Sequence, residues 1–338
     1  MKLAVLGAGC WGLTLTKLMT DNFDEVCLWS RTQDMPEGLV ETKCAIKPVK
    51  VQLQDKVEIT DNLEHAVNNA QIILLVVATG GIRPVCSQLA QIGLNENQVI
   101  VNASKGIELP SLMRMSEVIK EELPNNKIAV LSGPTLALEV LDGKPTAASV
   151  ACEDLETAKT LQKLLNVPSK FRLYANDDII GVELGGSLKN VIAIASGFAD
   201  AMNLGENSRG ALLTRGMAEI ARISLALGAK PSTLYGLSGM GDLIATCSSP
   251  LSRNFTVGSM LGKGKKIDDI LKELGSVAEG VKTSKAICEL AKKLNIEVPV
   301  SNAIYQAVYT DISPNEILES LMNRDLKTED DYRKKEIV

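Results

Sequence analysis

Residues 2–12 read Lys2-Leu3-Ala4-Val5-Leu6-Gly7-Ala8-Gly9-Cys10-Trp11-Gly12, and Leu13, Leu15 and Leu18 follow at helical spacing. A short apolar strand, a glycine turn and a helix are implied in that order. In such a turn one glycine makes the sharp bend, one lets the backbone approach a pyrophosphate, and one lets helix pack on strand. The start of the helix adds N–H groups that suit an anion. A glycine turn with a purely structural role is the competing reading. The strand before it and the helix after it favour dinucleotide binding.

The next strand is expected at residues 25–29 and ends in Ser30-Arg31. NAD-specific folds place an acid there, on the ribose 2′-hydroxyl. A hydroxyl and a guanidinium suit a 2′-phosphate instead, so NADPH is expected to serve at least as well as NADH. Arg31 stacked on adenine or turned to solvent is the alternative. Residues 34–56 carry no legible pattern. Further strands are expected at 57–60, 71–78, 99–102, 128–131, 146–151 and 171–175, with helices at 82–91 and 155–165. Strands alternating with helices imply a mostly parallel sheet with right-handed crossovers. The loops Ala78-Thr79-Gly80-Gly81, Ala103-Ser104-Lys105-Gly106 and Ser132-Gly133-Pro134-Thr135 then fall at carboxyl ends of strands, where such sheets bind ligands. Lys105 lies at that crevice, facing ligand or solvent.

Composition sets the outer limits. The chain has 338 residues, enough for two cores, and its 45% hydrophobic and 23% charged content is that of a globular protein. A net charge of -5 argues against a broad nucleic-acid surface, so any anion needs a local basic site. The seven cysteines are scattered without a CxxC pair, which fits small buried side chains in a reducing cytoplasm. No unbroken apolar run is long enough to span a bilayer, and neither a leader peptide nor a membrane partner is expected. The single histidine, His65, sits in the exposed first turn of a short expected helix. Serine–histidine hydrolysis, HExxH zinc chemistry and a histidine base are thereby disfavoured, and no metal is called for. Acid–base work must fall to lysine, carboxylate or tyrosine.

From about residue 176 the pattern turns helical, with Asn176-Asp177 expected as the opening cap. Residues 181–202 are apolar on nearly every side, the mark of a buried helix, with Lys189 and Asn190 at its head behind Gly185, Gly186 and Ser187. A lysine there either snorkels outward or has chemistry to perform. Two later loops stand out. Leu237-Ser238-Gly239-Met240-Gly241-Asp242 is a glycine-rich bend before a carboxylate, and Ser249-Pro250-Leu251-Ser252-Arg253-Asn254 places a cap before an arginine and an asparagine. A helix start carrying those groups seats a phosphate or carboxylate. Expected domains are 1–178, an α/β N-terminal Rossmann-like dinucleotide-binding domain, and 179–330, an all-α C-terminal substrate-binding and catalytic domain. A charged tail covers 331–338.

Taken in order, Gly7-Ala8-Gly9-Cys10-Trp11-Gly12, Ser104-Lys105-Gly106, Ser132-Gly133-Pro134-Thr135, Gly185-Gly186-Ser187-Leu188-Lys189-Asn190, Gly241-Asp242-Leu243, Ser252-Arg253-Asn254 and Ala278-Glu279-Gly280 resemble NAD(P)-dependent glycerol-3-phosphate dehydrogenases of the bacterial and chloroplast type. The resemblance runs almost end to end. It implies reversible reduction of dihydroxyacetone phosphate to sn-glycerol 3-phosphate in the cytoplasm, feeding phospholipid synthesis, by a homodimer using NAD(H) or NADP(H). It makes Lys189 the proton donor and acceptor, with Asp242 beside it. It assigns the substrate to Lys105, Gly133, Thr135, Lys189, Asp242, Ser252, Arg253 and Asn254. It assigns the dinucleotide to the glycines Gly7, Gly9 and Gly12 with Cys10, Trp11, Arg31, Lys105, Ala137, Arg253, Val277 and Glu279.

Two stretches depart from the family pattern: residues 36–51, which lack its Asn…Leu-Pro-Gly run, and Ala78-Thr79-Gly80-Gly81 in place of its Pro-Ser pair. A hydroxyacid or phosphogluconate type of dehydrogenase would carry an asparagine one helical turn after the lysine, where Ala193 stands. A noncatalytic NADP(H)-sensing module would need the glycine turn but not Lys189, Asp242 and Arg253 together.

Overall fold

A computed structural model of the chain describes residues 1–275, 278–326 and 328. Its strands are β1 (Lys2–Leu6), β2 (Glu25–Trp29), β3 (Cys44–Ala45), β4 (Val51–Gln52), β5 (Val57–Thr60), β6 (Ile72–Leu75), β7 (Val99–Asn102), β8 (Lys127–Ser132), β9 (Thr146–Cys152) and β10 (Phe171–Asn176). Eight of them form one sheet in the order β10-β9-β8-β7-β6-β1-β2-β5, while β3 and β4 make a separate hairpin. Along β1, Leu3 and Val5 enter one hydrophobic layer and Ala4 and Leu6 enter the other. That period of two, apolar on both sides, is why a short apolar run becomes a central parallel strand. The chain runs β1, β2, β5 to one side and then returns past β1 to β6, so the topological switch lies beside the Gly7 turn.

The helices of this part are α1 (Cys10–Met19), α2 (Leu39–Thr42), α3 (Leu63–Val67), α4 (Thr79–Ile92), α5 (Met115–Glu122), α6 (Ala137–Leu141) and α7 (Leu155–Leu165). Then follow α8 (Ile179–Ala201), α9 (Gly205–Ala226), α10 (Pro231–Leu234), α11 (Asp242–Cys247), α12 (Arg253–Gly262), α13 (Ile267–Leu274), α14 (Glu279–Leu294), α15 (Pro299–Tyr309) and α16 (Pro314–Met322). Contacts divide the chain after Glu183, inside α8. The first unit is the α/β sheet, and every named element after it is helical.

The structure revises several expectations. β9 runs antiparallel to β8. The helix between them, α6, has five residues. It therefore advances about 7.5 Å, too little to return the chain along a strand of about 20 Å. β6 ends at Leu75 and α4 begins at Thr79, because Thr79-Gly80-Gly81 forms its first turn, where N–H groups need no partner within the helix. The cap of α8 is Asp178, whose carboxylate accepts from the Gly181 N–H at 2.8 Å. Asn176 in turn accepts from the Asp178 N–H at 2.8 Å. Lys189 is consequently not at the head of a helix but in the middle of one, because Gly185 and Gly186 continue it. A Cβ at Gly185 would lie 2.7 Å from the Ser238 carbonyl oxygen. Close packing thus selects glycine there against its helix propensity. Val277 and the 331–338 tail lie outside the described residues.

The open edge of β10 is blunted. Gln162 donates to the Leu173 carbonyl at 2.8 Å and Asn166 accepts from the Leu173 N–H at 3.2 Å, so side chains occupy groups that another strand would use. His65 lies on α3 with its ring 2.6 Å from Glu58, an exposed surface contact.

At the end of the first unit, Glu183 is buried in α8 and fastened to the start of α5. It accepts from the Ser116 N–H at 2.8 Å, the Ser116 hydroxyl at 2.5 Å and Arg114 Nη1 at 2.9 Å. Burial pushes the Glu183 carboxyl above its ordinary value, while Arg114 and the Ser116 donors oppose that shift. Glu183→Ala leaves Arg114 without its buried partner and is expected to lower the unfolding free energy by about 3–5 kcal/mol in urea denaturation. Lys127→Ala breaks the exposed Lys127–Asp154 pair and should move the same curve far less.

Candidate active site

The Gly7 turn has the shape a dinucleotide needs. Gly7 has φ +122, and a Cβ there would sit 2.7 Å from the Val76 carbonyl oxygen. A Cβ at Gly12 would sit 1.8 Å from the Gly7 carbonyl oxygen, so helix and turn touch. Gly9 is the N-cap of α1 and uses no side chain to cap it. Beyond its two chain neighbours, no described protein atom lies within 4 Å of where its Cβ would be. A helix start whose N-cap carries no side chain, with space beside it, fits a pyrophosphate. Cys10 and Trp11 form the first turn of α1, and Trp11 meets Phe171 edge-on at 6.4 Å between ring centres.

Lys105, Gly133 and Thr135 come together at the strand ends. The Lys105 ammonium donates to the Gly133 carbonyl at 3.0 Å and to the Thr135 hydroxyl at 3.4 Å, and Thr135 donates to the same carbonyl at 3.0 Å. Ala137 opens α6 two residues beyond Thr135. Arg31 has a partner the sequence reading did not name: its Nε donates to Asp34 Oδ2 at 2.6 Å.

In the second unit, Lys189 does not snorkel. Its side chain is 7% exposed and that of Asp242 is 2%, with Nζ 2.9 Å from Asp242 Oδ1. The ammonium also donates to the Thr246 hydroxyl. Thr246 in turn donates to Asp242 Oδ1 at 3.0 Å, closing a three-membered ring of contacts. Taking an ion out of water costs several kcal/mol unless it is paired and hydrogen-bonded, and here both conditions hold. The bend before Asp242 is itself helical, a π-type turn over Leu237–Gly241. Its wide turn closes with the Gly241 N–H on the Gly236 carbonyl at 3.1 Å. Such turns occur often at functional sites. Cys247 is buried beside the pair, and burial pushes its thiol up to about 12, so it stays a neutral thiol.

α8 could cross a bilayer by length and composition, but 94% of its apolar window is buried, as in a core helix. α12 lies along it in a fixed register. Asn254 Nδ2 donates to Asn190 Oδ1 at 3.0 Å, 64 residues away in sequence. One turn on, a Cβ at Gly258 would lie 1.8 Å from the Ile194 carbonyl oxygen, and after another turn one at Gly262 would lie 2.7 Å from that of Phe198. Asn254 also accepts from the Gly280 N–H at 3.0 Å, tying α14 to the pair. Ser252 caps α12 by accepting from the Phe255 N–H at 3.3 Å, and Arg253 is exposed in its first turn. Glu279 opens α14.

Residues 2–158 match the family described as NAD-dependent glycerol-3-phosphate dehydrogenase N-terminus, and residues 178–319 match its C-terminus. The chain belongs to the NAD-dependent glycerol-3-phosphate dehydrogenase family. It is 42% identical over 332 residues to the glycerol-3-phosphate dehydrogenase [NAD(P)+] of Oceanobacillus iheyensis, covering 98% of this chain and 96% of that one. The crystal structure of glycerol-3-phosphate dehydrogenase from Coxiella burnetii superimposes with a TM-score of 0.90 at 33% identity, over 96% of this chain and 99% of that one. The yeast enzyme superimposes with a TM-score of 0.81 at 26% identity, over 95% and 99%. The chain is therefore an NAD(P)-dependent oxidoreductase, as the sequence implied.

In this family member the structure adds two residues to the predicted set. Thr246 is the third member of the Lys189–Asp242 cluster, and its signal was the four-residue spacing from Asp242 on one helix face. Asn190 orients Asn254, and its signal was adjacency to Lys189. The glycine register makes a separate prediction. Gly258→Ala forces α12 away from α8 and should lower the unfolding free energy by about 1–3 kcal/mol in urea. Gly210→Ala, where a Cβ meets no described atom within 4 Å outside its chain neighbours and the helix's own backbone, should be neutral or stabilising in the same assay.

Proposed function

We propose that this chain catalyses the reversible reduction of dihydroxyacetone phosphate to sn-glycerol 3-phosphate, with Lys189 as the proton donor and acceptor. The observation that carries this reading is the buried Lys189–Asp242–Thr246 cluster in the family's second domain. Bound NADH or NADPH supplies the hydride. The glycines Gly7, Gly9 and Gly12, with Cys10 and Trp11, hold its pyrophosphate, and Arg31 meets the adenosine ribose. The resemblance adds Lys105, Ala137, Arg253, Val277 and Glu279 to that set.

An ammonium has three N–H donors. Two of those on Lys189 are directed at Asp242 and Thr246, which leaves one for the substrate ketone oxygen. That donor stabilises the charge developing on the oxygen and then delivers the proton. Asp242 holds the ammonium in place, and the low dielectric of a buried site strengthens the effect. In the oxidative direction Lys189 takes the proton back. Arg253, Asn254 and the N–H groups that begin α12 hold the phosphate, with Ser252 keeping the turn in shape. Lys105 and Thr135, joined through the Gly133 carbonyl, add a further positive group for the substrate. Binding energy from the phosphate is thus converted into positioning of the carbonyl.

The cysteines, none in a disulfide, accord with a cytoplasmic enzyme. A homodimer that feeds glycerophospholipid synthesis is what the family likeness implies.

The test is oxidation of NADPH in the presence of dihydroxyacetone phosphate beside its unphosphorylated analogue. The phosphorylated ketone should be consumed and the analogue barely so; equal rates with both would remove the phosphate site from the reading. Lys189→Ala should lower kcat about 10²–10⁴-fold. Thr246→Val should lower kcat with little change in KM. Arg253→Ala should raise KM for the substrate about 10–100-fold with kcat largely kept. Near-normal turnover in Lys189→Ala would end the assignment of the proton step.

A further inference from the structure

Just past the end of β2 lies an acid that sequence spacing did not single out. Ser30 is buried, and Arg31 begins a 3-10 turn over Thr32–Asp34, closed by the Asp34 N–H on the Arg31 carbonyl at 2.9 Å. In such a turn side chains three apart eclipse. The Asp34 carboxylate is thereby folded back on the guanidinium, with Oδ2 2.6 Å from Nε and 2.5 Å from Nη2. Beside it, the Thr32 hydroxyl donates to Asp61 Oδ2 at 2.8 Å, just past the end of β5. The rim therefore holds one guanidinium and two carboxylates, a local balance of one negative charge.

We propose that Asp34 is a specificity-determining residue that sets how strongly this enzyme prefers one dinucleotide over the other. A 2′-phosphate carries between one and two negative charges. To be held by Arg31 it must displace Asp34 from the guanidinium or share the guanidinium with it, and in either case it sits beside that carboxylate. A 2′-hydroxyl makes neither demand, and the Arg31–Asp34 pair can stay closed while it binds. Asp34 thus subtracts from NADPH binding what Arg31 adds, and leaves NADH almost untouched. Binding of both dinucleotides at comparable strength follows.

This inference rests on the reading that Arg31 meets the adenosine ribose, and the variants separate the two. Dissociation constants for NADPH, NADH and the fragment 2′,5′-ADP are measured by titration calorimetry, without turnover. Asp34→Asn is expected to tighten NADPH and 2′,5′-ADP about tenfold while NADH changes less than about twofold, with the gain shrinking as salt rises. In an Arg31→Ala background the same substitution should lose most of its effect. If Arg31→Ala alone weakens NADPH but Asp34→Asn leaves the NADPH-to-NADH ratio unchanged, the role of Asp34 is overturned while the ribose reading survives. If Arg31→Ala changes neither dinucleotide, the ribose reading fails first and this inference falls with it. Both side chains are about half exposed, so thermal melts of the variants should match the parent.

Discussion

An ammonium group buried in the most apolar helix of the chain constrains the rest of the second unit. Water would hold Lys189 far more cheaply than hydrocarbon does, so the fold must replace the lost hydration with fixed partners. Asp242 supplies the countercharge and Thr246 supplies an oxygen. Both come from α11, which brings them to one face because they are four residues apart. The π-turn before α11 widens the chain's path just ahead of the carboxylate. The geometry that makes burial tolerable also holds the ammonium in one direction, which is the preorganisation that a proton donor to an alkoxide requires.

Much of the first unit can be read from residue order, because its signals are local. The run Lys2–Leu6 and the glycines after it carry their own geometry, and the apolar strands are bounded by small residues. What escaped is equally instructive. The position of Lys189 within α8 depends on Gly185 lying against the Ser238 carbonyl, a contact between segments far apart in sequence. Propensity read glycines as a helix start; packing made them part of the helix. The antiparallel β9 depends on how little chain the connecting helix contains. The spacing of Thr246 from Asp242 was legible, but its contact with Lys189 depends on α11 facing that lysine. Asp34 is near Arg31 in sequence, yet a 3-10 turn was needed to fold it back. Residue chemistry was therefore legible where one element supplied all the parts, and hidden where two had to meet.

The polar end of α12 illustrates how packing orients the group proposed to hold the phosphate. The partners along α8 and α12 advance together by one turn at a time, from Asn190 with Asn254, to Ile194 with Gly258, to Phe198 with Gly262. Glycines at two successive rungs let the backbones approach until a Cβ would overlap a carbonyl oxygen. At the rung nearest the start of α12 the same register places two amide side chains together. Asn254 accepts from the Gly280 N–H through its amide oxygen and donates one of its two amide hydrogens to Asn190. Among the described contacts its other hydrogen is left, and the two bonds already fix its direction. A group held in this way loses little freedom when an anion arrives, so more of the contact energy is expressed as affinity. The glycines farther along the helix thus bear on the proposed phosphate site without touching it, because they set the distance at which Asn190 can orient Asn254.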